Sequence, residues 1–208
     1  MANLPTDEPW PDPFWTEAAS YWVGKKALIH EASSLLDRGH FEEALERLAN
    51  VTRNYQEDDE AWYLAGWTLN HMQRPAEAEH ALREHLRRAP QSPRGHSQLA
   101  VSLLSQNRAA EAVTILEDGL KLKPTWRELR FNLGYACVQL GRHDEAIGHL
   151  RTALELDPNY VPSYTGLAEL LLRRGESVEA RRLLKEALEL DPADTRAQAL
   201  MRTIPPGQ

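Results

Sequence analysis

Small and apolar residues return along this chain in a fixed order. From Arg127 to Tyr160 the order is Leu133-Gly134, Gly141, Ala146, Leu150, Ala153 and Pro158. From Val161 to Asp194, thirty-four positions on, it reads Leu167-Ala168, Gly175, Ala180, Leu184, Ala187 and Pro192. Three earlier stretches, 25–58, 59–92 and 93–126, keep the register with looser matches. Their marks are Leu35, Ala44 and Leu48, then Gly66, Ala78 and Leu82, then Ala100, Ala112 and Leu116. The first stretch departs from the order at Glu31, Val51 and Gln56, and an atypical terminal unit is common in such arrays. A period of this length predicts a solenoid, in which each unit buries its apolar face only against its neighbours.

Because many positions agree in phase, the L-G, A, L, A, P spacing resembles the tetratricopeptide repeat, a helix-turn-helix unit. The resemblance covers residues 25–194 as five repeats and implies an all-α, right-handed α-solenoid. Two columns carry the packing. Ala44, Ala78, Ala112, Ala146 and Ala180 recur without exception, and Gly or Ala stands at 32, 66, 100, 134 and 168. Small side chains there let paired helices approach closely, since the side chains at a contact set the interaxial distance. The prolines at 90, 124, 158 and 192 end each second helix. Residues 195–208 read as a capping helix, Thr195 to about Thr203, and a tail closed by Pro205-Pro206.

Residues 1–24 differ from the rest. They hold three of the six Trp, four of the thirteen Pro, four acidic residues and no Lys or Arg. Four prolines up to Pro13 favour an extended path, and Asp12-Pro13 reads as a helix start, Asp as N-cap and Pro at the first helical position. A helix from there would continue into the first repeat, with Gly24 arguing against unbroken passage. Trp10, Phe14 and Trp15 are candidate ligands for a groove, in this chain or a neighbouring copy. For Trp15 and Trp22 the alternative, a cap over the open face of repeat one, is preferred.

In tetratricopeptide proteins the first helix of each repeat lines a concave groove. Carried onto this chain, that resemblance implies a peptide-binding face of Tyr63, Trp67, Asn70, His71, Arg94, Ser97, Val101, Phe131, Tyr135, Gln139, Glu169 and Arg173. Tyr63/Trp67 and Phe131/Tyr135 are i, i+4 pairs, so each lies on one helix face and the two flank a hollow of smaller residues. Trp62 and Tyr164 fall at an internal position and are expected to pack. The family's clamp for chaperone tails is not expected, because Ile29, Ser33 and Leu64 stand where its Lys and Asn residues would be.

Composition narrows the classes further. A net charge of −7 with 26% charged residues argues against a nucleic-acid surface. The lone Cys137, at a position filled by Leu in the other repeats, excludes an internal disulfide framework and fits a buried, unactivated thiol. With no secretory signal or membrane-length apolar run, the expectation is a cytoplasmic protein. The eight His residues lack metal-ligand spacing and are expected at the surface or at interfaces; no cofactor or metal is expected. No phosphate loop, nucleophile elbow or HExxH stretch occurs. The expected function is a non-catalytic scaffold or adaptor holding a protein or peptide partner, with a self-assembling homo-oligomer or an accessory subunit of an enzyme or secretion complex as alternatives.

Overall fold

The computed structural model describes residues 13–55 and 58–205, with side chains described from residue 24. Among them are eleven helices and no strand. The order is α1 (Pro13–Asp37), α2 (Phe41–Asn54), α3 (Asp59–His71), α4 (Pro75–Arg88), α5 (Pro93–Ser105), α6 (Ala109–Leu122), α7 (Arg127–Gln139), α8 (His143–Leu156), α9 (Val161–Arg173), α10 (Ser177–Leu190) and α11 (Thr195–Thr203). The fold is an all-α solenoid. Trp10 and Asp12 lie outside the described residues. Phe14 and Trp15 belong to α1, in the part whose side chains are not described.

Local chemistry sets the ends. Asp58, Ser92 and Asp194 accept hydrogen bonds from the backbone N–H three residues on, which caps α3, α5 and α11. Helices α4, α6, α8 and α10 each stop two residues before a proline, because the residue preceding Pro is forced out of the helical region. Each turn inside a repeat passes through one left-handed residue: Gly39, Gln73, Asn107, Gly141 and Gly175, with φ from 57° to 80°. Helix α1 runs straight through Gly24, where a Cβ would lie 3.4 Å from the Tyr55 hydroxyl.

Two layers result. Helices α3, α5, α7, α9 and α11 touch one another in succession, whereas the even-numbered helices make no comparable contact with each other. An inner row that closes up while the outer row splays apart is a curved array with the odd helices on its concave side. Leu48, Leu82, Leu116, Leu150 and Leu184 are fully or almost fully buried between layers, and so is the alanine column from Ala44 to Ala180.

Two contacts between successive repeats are matched by volume. His85 of α4 fills the space above Gly95 of α5, where a Cβ would stand 2.5 Å from its ring. One repeat on the sizes exchange: Gly119 of α6 faces Leu129 of α7, whose methyls would lie 3.0 Å from a Cβ added to the glycine. Of the two placements expected for the histidines, surface or interface, His85 and His96 take the interface between helices. His85 is fully buried with its ring over Gly95, and His96 is 9% exposed beside Gly119. The His85 Nδ1 lies 2.8 Å from the Asp59 carbonyl, and its Nε2 is buried without a partner. Burial pulls the His85 imidazole below its usual range, and does the same to His149. The folded state therefore resists protons that the unfolded chain takes up below about pH 6.5, so stability should fall as pH drops through that point. Each such group contributes at most about 1.4 kcal/mol per pH unit. Urea midpoints at pH 7.5 and 5.5 test this, and His85→Gln should flatten part of the slope. An unchanged slope in that variant would remove His85 from the account.

Candidate functional site

Six of the twelve residues expected on the concave face line two hollows, Tyr63 and Trp67 the first and Val101, Phe131, Tyr135 and Gln139 the second. Tyr63 and Trp67 of α3 line the first with Ser33, Leu36 and Asp37 of α1, a space of about 250 Å³. Trp67 is backed on one side by His71, whose ring centroid is 3.7 Å away, and by Phe41 at 6.4 Å. Tyr63 carries the Arg94 guanidinium 4.2 Å above its ring, and Arg94 is ion-paired with Glu60.

The second hollow measures about 400 Å³ and is lined by Val101, Leu104 and Ser105 of α5, by Phe131, Asn132, Tyr135 and Gln139 of α7, and by Arg196 of α11. Phe131 meets Tyr135 at 5.0 Å and receives Tyr160 edge-on at 5.3 Å, so its ring is held from two sides. The Tyr135 hydroxyl is buried, with the Arg196 guanidinium beside it. Arg196 spans the open side, 5.5 Å above the Tyr135 ring. Its guanidinium donates at 2.5 Å to Glu169, which also accepts from Arg173 at 2.7 Å. Burial opposes ionisation of Glu169, but the two guanidinium partners outweigh it and hold the carboxyl below its usual range. Two cations thus share one anion beside the aromatic wall.

Several residues assigned to the face join repeats together. Asn70 donates to the carbonyl and side chain of Gln98 at 3.1 and 3.2 Å and accepts from Ser102 at 2.9 Å. Ser97 is buried and accepts from Asn132 at 2.9 Å. Gln139 donates to the Leu104 carbonyl at 3.1 Å while still lining the hollow. Between the two aromatic pairs, Asn70, Gln98 and Ser102 join α3 to α5. Arg196 was not foreseen. It stands where a sixth unit, begun at Thr195, would place its second residue, a position counted as groove-facing in the third repeat at Arg94.

Other chemistry on the described residues is sparse. Cys137 is buried, and burial pushes its thiol up, away from the nucleophilic form. No three His, Cys, Asp or Glu side chains are grouped to hold a metal, and no helix is long and apolar enough to cross a membrane, among the described residues.

No curated protein sequence matches the chain. Its fold is shared with solved structures at low identity. TTC0263, a thermophilic TPR protein of Thermus thermophilus, is 22% identical over 86% of this chain and 98% of its own, with a TM-score of 0.77. Pseudomonas aeruginosa pilF is 22% identical over 85% of this chain and 81% of its own, at 0.72. YrrB, a TPR protein described as having an unusual peptide-binding site, is 20% identical over 92% of this chain and 98% of its own, at 0.61. Family models for the tetratricopeptide repeat match residues 30–93, 97–161 and 138–204. With the period, the paired helices and the small-residue columns, those matches place the chain in the tetratricopeptide repeat family, whose members generally mediate protein–protein interaction.

Proposed function

We propose that the chain is a non-catalytic scaffold that binds an extended peptide or protein segment along its concave row. The carrying observation is the second hollow: an aromatic wall of Phe131 and Tyr135, open to solvent beside the Arg196 guanidinium. Aromatic and arginine side chains in such a setting have the make-up of binding hot spots. An open hollow of this size takes one or two side chains of a ligand and leaves its backbone along the row. YrrB, whose description names a peptide-binding site, offers a precedent for that use of the fold.

Peptides selected from a random library on the full chain test the reading. Trp67→Ala and Tyr135→Ala should keep the helical circular dichroism signal while weakening the selected peptides by about 2 kcal/mol each. Selected peptides that bind the double variant as tightly as the parent would move the binding surface off this face.

A further inference from the structure

Helix α1 decides where the N-terminal segment can go. Twenty residues of unbroken helix separate Pro13 from Ser33, the nearest lining residue of the first hollow, which is about 30 Å at 1.5 Å per residue. Trp10 stands three residues before Pro13 and reaches about 10 Å from it when fully stretched. It cannot fold back into the first hollow of its own chain. The second hollow lies on α5, α7 and α11, later in the row than the α1–α3 hollow. Only Met1 to Leu4 have the reach to return, and they carry neither a charged nor an aromatic side chain.

We propose that residues 7–12 of one copy, Asp7-Glu8-Pro9-Trp10-Pro11-Asp12, occupy the second hollow of another copy. The inference rests on the groove reading above and names the occupant. Its support is complementarity of shape and charge. The hollow presents Phe131 and Tyr135 to an aromatic side chain and has room for one indole. Arg196, the one cation in its lining, shares the carboxylate of Glu169 with Arg173 and is therefore only partly neutralised, while Glu128, one turn before Phe131, is held by Arg127. The segment supplies the indole, three carboxylates and no cation. Its two prolines lower the entropy lost when an extended segment docks. The first hollow has the Asp37 carboxylate in its lining, and Arg94 over its Tyr63 is paired with Glu60, so the acidic segment is better matched by the second. Such a contact is heterologous, tail to groove, and passes from copy to copy until a ring closes or a filament grows.

Two variants with opposite defects test it on the full chain by sedimentation. The wild type should form species larger than a monomer that grow with concentration and shrink in high salt, where the charge component is screened. Trp10→Ala, with a dead tail, and Arg196→Glu, with a dead hollow, should each sediment as monomers. Mixed in equal amounts they should give a species of twice the monomer mass and nothing larger, because one good tail meets one good hollow and the chain then ends. A free peptide of residues 1–12 should bind the Trp10→Ala chain and lose about 30-fold in affinity on Arg196→Glu. Phe131→Ala, which keeps every charge, should behave like Arg196→Glu if both fold, as judged by circular dichroism. A monomeric wild type, a Trp10→Ala chain that assembles like the wild type, or a mixture that stays monomeric overturns the proposal. The groove reading fails separately, when library-selected peptides ignore Trp67→Ala and Tyr135→Ala.

Discussion

Ala146→Glu is expected to lower stability by about 3–5 kcal/mol, the cost of a buried charge left without a partner. Ala146 has no exposed surface and lies where α8 crosses α7. The approach there is close. A Cβ added to Gly134 would meet Leu150 at 2.9 Å and the Ala146 carbonyl at 3.3 Å. A glutamate side chain has no room unless the two helices separate, and separation also strips Leu150 of its packing. For a chain of this size the loss corresponds to a fall in melting temperature of about 10 °C. Gly148→Glu, two residues on, is the control: that glycine is exposed and an added Cβ meets nothing within 4 Å. Its melting temperature should stay at or above the parent's. A melt of Ala146→Glu within two degrees or so of the parent would mean that the alanine column is not the helix contact.

That column was legible because it recurs. Ala44, Ala78, Ala112, Ala146 and Ala180 are spaced by one period, and a position that is small in five units carries its own explanation. The prolines are legible for the same reason, since each removes a helical option at a fixed place. Features that occur once were harder to read. His85 and Gly119 share a column with Ala153 and Ala187, and nothing within their own repeats explains the change of size. Their partners, Gly95 and Leu129, sit on the next repeat, in a column that varies too.

The site shows the same division. Residues 63, 67, 131 and 135 could be placed on a face from i, i+4 spacing alone. Spacing does not say which polar residues are already engaged. Asn70, Ser97 and Gln139 reach the neighbouring helix and become part of what fixes the hollows, so fewer groups are free to meet a ligand. Arg196 was hidden by treating residues 195–203 as a cover for the last repeat. A capping helix whose start keeps the thirty-four-residue phase presents its second residue to the row like any other first helix.

The matched contacts give the second large effect. Gly95→Leu should cost about 3 kcal/mol or more, because its new side chain would begin 2.5 Å from the His85 ring in a space already filled. His85→Gly should cost a similar amount, through the cavity it leaves, the lost hydrogen bond to the Asp59 carbonyl and a glycine inside α4. Together they recreate the pairing one repeat on, where Gly119 faces Leu129 at full burial. The double variant should therefore be about 2–3 kcal/mol more stable than the sum of the single changes. It should remain below the parent, since the Asp59 carbonyl still lacks its donor and α4 still carries the added glycine. Urea midpoints of the four chains, taken at pH 7.5 where the histidine is neutral in both states, give the coupling directly. Single costs that add to within about 0.5 kcal/mol would show that His85 and Gly95 are neighbours without being matched.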